Sequence, residues 1–496
     1  MYPSKLLNIL ATFTNKEIKN CEIFVESPFF NKREDLILFY KYITKHHPNY
    51  EHHTLKAEQA FKYMYPKQVF SERKLRHLMS NLTKLLEQFL IQLALQKSED
   101  DQQRKLLKSY EERNLRKYFD NTLNKHVKKL EEQPIRNIEY YRQQYLIKEQ
   151  KAEVYNEKVT SILEQANDLD IFYIITKLRN ACLIKTFERI LKLDFEVEDL
   201  FLMSDIFKHI ETHPEQQEVP AIFVYYLIYK LLAAPDHLQD QYFEELLQQL
   251  SIHKKQFTEV EIDNMYSYAH NHCIKRINQN KQSYRLKLFD LYQMRLQNIL
   301  VIGQGSLPQW EYINIVLLST NLKKFQFTLK FIKDYETKIE KENRKNATNL
   351  AKAFYEFSQQ NFGKTMSHLH RIHINDFHFY FKTNTLMIKV YYEQKQKAPL
   401  EDSINAFRMY IKRSKSKIPP AFTKQYGRFA KYVKKFNRIE ILIGKREKKR
   451  AELAIQKIID EINADKAVAD IDWLKEKINE FLLKLGMKMM SSQNDK

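Results

Sequence analysis

Six glycines serve 496 residues, and the first of them is Gly303. Glycine takes positive φ and admits close backbone approach at no steric cost. Its scarcity removes whole classes of site. Before residue 303 there is no glycine-rich phosphate loop, dinucleotide fingerprint, nucleophile elbow or EF-hand loop, because each needs glycine at fixed offsets. Gly303 and Gly305 form a pair with no matching third glycine and no following Gly-Lys-Ser/Thr. Tight primed hairpin turns are also hard to build. With Leu, Lys, Glu and Gln abundant, and twelve prolines as punctuation, the sequence predicts helices throughout.

Helix starts are legible. Thr14 with Glu17 and Thr258 with Glu261 have capping-box spacing. Asn31 with Glu34 repeats the logic with Asn as cap. Ser306 precedes a proline, Pro308, read as lying in a first turn. In FSERKLRHLMSNLTKLLEQFLIQLAL, Leu75, Leu78, Met79, Leu82, Leu85, Leu86, Phe89 and Leu93 recur at helical spacing, which predicts an amphipathic helix of about six turns. FHFYF at 377–381 alternates like a strand, but its continuation keeps helical offsets, so it too is read as helix. Roughly twenty helices are expected, from the spacing of breaks and apolar periods.

Residues 310–412 look internally repeated. Phe325, Phe362 and Leu400 correspond, as do Thr328, Thr365 and Ser403, and then Ile332, Leu369 and Phe407, at spacings of 37 and 38 residues. Each copy reads large, small, large, and each follows another helical run. A small residue at that place lets two helices cross closely. Such a pair buries its apolar face only by stacking on neighbours. The pattern resembles the tetratricopeptide (TPR) class of right-handed α-solenoid. Its unit is longer than the family's, and Val316, Ala353 and Tyr391 stand where the family has glycine. The resemblance implies a concave surface that binds another macromolecule.

Charge is uneven along the chain, whose net charge is +20. Residues 411–450 hold fifteen Lys and Arg against Glu440 and Glu447, a net of +13. The candidate face comprises Lys412, Arg413, Lys415, Lys417, Arg428, Lys431, Lys434, Lys435, Arg438, Lys445, Arg446, Lys448, Lys449 and Arg450. Clustered cations suit the phosphates of RNA or DNA or an acidic protein partner, and a lysine-rich solvated helix face with no partner has the same composition. Phe422, Tyr426, Phe429, Tyr432 and Phe436 interleave with them at core-stripe offsets, so they are expected to be buried and not stacked on bases. Residues 194–263 carry fifteen Asp and Glu against four lysines, a net of −11. Opposed patches of this size raise the further prospect of self-association.

No set of residues combines a nucleophile, a base and an oxyanion device, and nothing calls for a cofactor or metal. His368, His370, His373 and His378 are read as lining the turn between two helices, with Asn375 or Asp376 capping the second. His209 and His213 lack the order of a helical zinc site, and Pro214 ends their helix. His46, His47, His52 and His53 share a loop without enforced geometry. His270, His272 and Cys273 diverge on a helix. Cys21, Cys182 and Cys273 lie far apart, which fits a reducing compartment. No apolar run reaches the about 18 residues of a membrane span, and a cytoplasmic chain is expected.

The expected architecture is all-α. A bundle of long amphipathic helices covers 1–160, an acidic helical region 161–305, and TPR-like repeats with basic C-terminal helices 306–496. The expected role is a non-enzymatic scaffold or adaptor for a protein partner, with RNA or DNA binding through 411–450 as the alternative.

Overall fold

Capping side chains and prolines, more than glycines, mark where the helices begin. A computed structural model of the chain describes residues 4–50, 55–155, 159–191, 195–279, 281–302, 307–374, 376–414, 417–465 and 468–487. Thr14 and Thr258 each accept from the backbone N–H of the glutamate three residues on, and that glutamate returns a bond to the cap, so both capping boxes form. Ser71, Ser98, Asn137 and Asp376 cap four more helices. Asn31 does not cap. Its side chain bridges the turn, donating to the Val25 and Arg33 carbonyls and accepting from Arg33 N, and the next helix starts after Arg33. Pro308 is itself the N-cap, one position before the helix, and Ser306 lies outside the described residues.

Twenty-three α-helices and no strand occur among the described residues. The chain divides into two compact units, Met1–Thr176 and Lys177–Lys496. In the first, α1 (Lys5–Ala11), α2 (Asn15–Glu26), α3 (Glu34–Thr44), α4 (Ala57–Met64) and α5 (Glu72–Lys97) enclose one core. The 26-residue α5 has the apolar stripe its sequence predicts, with Leu75, Leu78, Leu82, Leu85, Leu86 and Phe89 buried. A smaller core of Leu107, Phe119, Leu123, Leu130 and Ile147 joins α6 (Glu99–Glu112), α7 (Arg116–Glu132) and α8 (Ile138–Val154). The unit boundary falls within α9 (Val159–Leu191).

In the second unit α10 (Met203–Thr212) is followed by a train of adjacent pairs. These are α11 (Pro220–Ala233) with α12 (Asp236–His253), α13 (Glu259–Asn278) with α14 (Tyr284–Ile302), and α15 (Gln309–Asn321) with α16 (Phe325–Tyr335). Then come α17 (Lys341–Ser358) with α18 (Phe362–Leu369), α19 (Phe377–Glu393) with α20 (Lys397–Arg413), and α21 (Pro420–Gly444) with α22 (Lys448–Ala464), before a final α23 (Ile471–Leu485). The succession of pairs is compatible with a helical-repeat solenoid.

The last four pairs share one turn. Lys323, Gln360, Lys395 and Arg446 take φ of 57°, 58°, 54° and 60°. Each donates its N–H three residues back, and the following residue donates five back: Lys323 to Thr320 O and Lys324 to Ser319 O, both at 2.9 Å, and so through Arg446 to Ile443 O and Glu447 to Leu442 O, both at 3.0 Å. This is the Schellman closure of a helix end, which ordinarily uses glycine. Asn114 makes the same turn between α6 and α7. Thus glycine scarcity does not remove left-handed backbone; two helix-end hydrogen bonds offset a steric cost of about 1–2 kcal/mol at each turn.

Counted from the turn residue, the seventh position before and the fifth and ninth after are buried in all four pairs. They are Val316, Thr328 and Ile332; Ala353, Thr365 and Leu369; Ile388, Leu400 and Ile404; and Ile439, Ala451 and Ile455. The repeat seen in the sequence is therefore real in its first two copies. In the third it slips by three residues: Leu400 takes the place of Thr328, while Ser403, the expected small residue, is only half-buried one turn on. A fourth copy, 420–464, follows. The crossings are also tightened by α17, where Ala347, Ala351 and Ala353 are fully buried and let α15 and α18 approach.

Helix α23 closes the unit. Trp473 donates its indole N–H to Glu393 at 2.7 Å, and Lys477 donates to Glu393 and Glu480 at 3.0 and 2.6 Å. Asp470, its cap, accepts from Lys389 at 3.0 Å, and Asp472 meets Arg285 of α14.

Candidate functional site

The basic segment lies on α20, α21 and α22. Its aromatic residues point inward: Tyr426, Phe429, Tyr432 and Phe436 are buried, and Phe422 packs against the same core. Tyr426 stacks on Phe381 of α19 with centroids 4.3 Å apart. The interleaving is thus a core stripe with a basic outer face, and no aromatic ring of α21 is left for a base.

The cations separate into two groups. Arg428 pairs with Asp465 at 2.9 Å, and Lys431 and Lys435 pair with Glu461 at 2.7 and 2.6 Å. Tyr432 also donates to Asp465, at 2.6 Å. These groups fasten α21 to α22. Hydrogen bonds from Lys431 and Lys435 hold the Glu461 carboxyl below the usual range. Arg450 pairs with Glu447 and Lys448 with Glu452. The others, Lys412, Arg413, Lys417, Lys434, Arg438, Lys445, Arg446 and Lys449, are exposed, and no acidic group among the described residues lies within ion-pair distance of them. Lys415 lies outside the described residues.

Between α20 and α21 is a hollow of about 260 Å³ lined by Arg408, Ile411, Lys412, Thr423, Lys424 and Gly427. Arg408 and Lys412 are one turn apart on α20, and Lys424 faces them from α21. Gly427 adds no side chain to it, and nothing lies within 4 Å of where its Cβ would be. The Thr423 hydroxyl is turned back on the Pro420 carbonyl at 2.9 Å, so the hollow's donors are its three cations. About two turns before Arg408 on α20 the charge changes sign: Glu401 accepts from Asn437 at 3.4 Å, and Asp402 is exposed. Arg408 lies just before the 411–450 window and Lys424 within it; neither belongs to the predicted face. The four-residue spacing of Arg408 and Lys412 is the signal for the first, since it places both on one helix side. Lys424 becomes relevant only through the pairing of two helices. A second, more open basic surface surrounds the Arg446 turn with Lys448, Lys449 and Arg450.

Four of the fifteen acids of the acidic segment are answered by cations that follow it in sequence. Asp236 and Asp240 receive Arg276, Lys275 and Lys281; Glu244 meets Lys287; Asp263 meets Arg295. Burial works to raise Asp240, but hydrogen bonds from Lys281, Tyr284 and Arg276 hold its carboxyl at about 2. Arg276 is fully buried at the centre of this network.

The histidine groupings are placed differently from one another, and the rings of His209 and His213 stay together, 4.1 Å between centroids. His368 meets Asn349, His373 N donates to Asn346, and His378 packs on Trp310 and Phe377, while Asp376 caps α19. The helix of His209 ends at Thr212. His270 and His272 are buried, which pushes both down to about 4, and burial pushes Cys273 up to about 12. His52 and His53 lie outside the described residues. Among the described residues no three His, Cys, Asp or Glu side chains gather as a metal requires. No helix there is long and apolar enough to cross a membrane. Comparison with protein-family models, with curated proteins and with solved structures finds no match.

Proposed function

We propose that this chain is a non-enzymatic adaptor, a TPR-like right-handed array of helical hairpins that holds a protein partner on its repeat surface, with the exposed basic face of α20 to α22 drawing that partner in. The contrast within this face carries the reading. Arg428, Lys431 and Lys435 serve the α21–α22 contact, whereas Lys412, Arg413, Lys434 and Arg438 have no acidic partner among the described residues. Unpaired cations on stacked hairpins are available to complementary charge and steer its approach. Stacked hairpins also present an extended surface, which is what such arrays offer to other macromolecules.

The same cations support a second reading, binding to RNA or DNA. The buried aromatics of α21 weigh against single-strand recognition by stacking.

The test is purification of the tagged full chain from its own cells under lysine crosslinking, with and without nuclease. The adaptor reading expects the same protein in both samples, crosslinked at Lys412, Lys424 or Lys434. Recovery of nucleic acid instead, with all bound protein lost to nuclease, would overturn it in favour of the second reading.

A further inference from the structure

We infer that the hollow between α20 and α21 is the seat of an acidic peptide segment of the partner, its carboxylates received by Arg408, Lys412 and Lys424; this rests on the adaptor reading and names the chemistry it selects. Three cations from two helices converge on one concavity, and no acidic group among the described residues lies within ion-pair distance of them. Like charges one turn apart on a helix, such as Arg408 and Lys412, repel and disfavour the isolated chain. A ligand bearing negative charge relieves that repulsion. The walls between the charges are the hydrocarbon stems of these side chains and the half-buried Ile411, which suit the methylenes of Glu or the apolar neighbours of Asp.

A peptide fits better than a nucleic acid for two reasons on the same surface. A polynucleotide follows a continuous row of cations, yet about two turns before Arg408 the surface of α20 turns negative at Glu401 and Asp402. A short acidic segment ends before that point. The rings that would stack with bases are in the core: Tyr426 is 5% exposed and Phe429 is fully buried.

The experiment uses the full chain and three probes: a Glu- and Asp-rich peptide, its Gln and Asn counterpart, and a single-stranded oligonucleotide of the same formal charge as the acidic peptide. Binding is read by fluorescence anisotropy. The acylation rates of Lys412 and Lys424 are read by mass spectrometry against Lys125, exposed on α7. The acidic peptide is expected to bind and to slow acylation of Lys412 and Lys424 while Lys125 is unchanged; its neutral counterpart does neither. The variant R408Q/K412Q/K424Q is expected to bind the peptide about tenfold more weakly, the combined effect of three exposed ion pairs. Its unfolding midpoint should stay near the parent's, since these side chains hold no structural ion pair.

Equal affinity of parent and variant, or no protection of the two lysines at saturating peptide, would overturn the assignment. Tighter binding and stronger protection by the oligonucleotide would overturn it too. The outcomes separate from those of the adaptor reading. A crosslinked partner that the triple variant retains leaves the adaptor standing and removes the groove. Absence of any protein partner removes the adaptor, while protection of Lys412 and Lys424 by the peptide still decides the groove's chemistry.

Discussion

Lys435 places its ammonium 2.6 Å from each carboxylate oxygen of Glu461, and Lys431 reaches the same carboxylate at 2.7 Å. One acid of α22 thereby withdraws two cations of α21 from any external partner. Glu461→Gln is expected to lower stability by about 1 kcal/mol, because the pairs are partly exposed and screened, and to strengthen binding of an acidic probe peptide severalfold. Urea unfolding and anisotropy check the two parts. The pH dependence follows from the lowered carboxyl: its stabilisation is present above the ordinary glutamate range and is lost as pH falls through the lower folded value.

The four shared turns predict a stabilising substitution in each. Lys323→Gly, Gln360→Gly, Lys395→Gly and Arg446→Gly should each raise stability by about 0.5–1 kcal/mol, the relief of a left-handed residue less the added freedom of glycine in the unfolded chain. Thermal or urea midpoints measure this. A loss of stability at all four positions would mean that their side chains, not their backbone, make the turn.

Arg276 predicts the opposite sign. It is fully buried, donates to Asp236 at 2.5 Å and also contacts Asp240. Arg276→Met leaves Asp236 to Lys275, and Asp240 to Lys281, His272 and Tyr284, and should cost about 1.5–3 kcal/mol, the loss of hydrogen bonds between charged groups at partly exposed carboxylates. Equilibrium unfolding decides, and a change below about 1 kcal/mol would contradict the role assigned to this network.

Acid sensitivity should appear between pH 7 and pH 4. Burial holds His270 and His272 neutral down to about 4 in the folded chain, whereas the unfolded chain protonates near 6.5. The unfolded state then binds more protons throughout that window, so stability falls as pH falls, by about 2 kcal/mol per histidine between pH 7 and pH 5. His270→Phe should flatten this slope, as read from denaturant midpoints at the two pH values.

The elements most legible in the sequence are those set by near neighbours. The two capping boxes, the stripe of α5 and the helical reading of FHFYF need only residues within a few turns. What was not legible depends on residues far along the chain. Glu461 and Asp465 lie about thirty positions beyond the cations they hold, so Arg428, Lys431 and Lys435 look free in sequence. Asp236, Asp240, Glu244 and Asp263 of the acidic stretch look uncompensated because Arg276, Lys281, Lys287 and Arg295 lie beyond its end. The third repeat misaligned because Leu400 occupies a position held by threonine in the first two and by Ala451 in the fourth. Residue size misled there, while the turn geometry, invisible without glycine to mark it, carries the period.

The adaptor reading is tested most directly by the mass of the native assembly. Light scattering on the full chain purified with its partner, before and after nuclease, should give a mass above the chain's own by that of a second protein and unchanged by nuclease. R408E/K412E/K424E should return it to the mass of the chain alone. A native preparation that already has the chain's own mass, or one whose excess mass disappears with nuclease, would contradict the account.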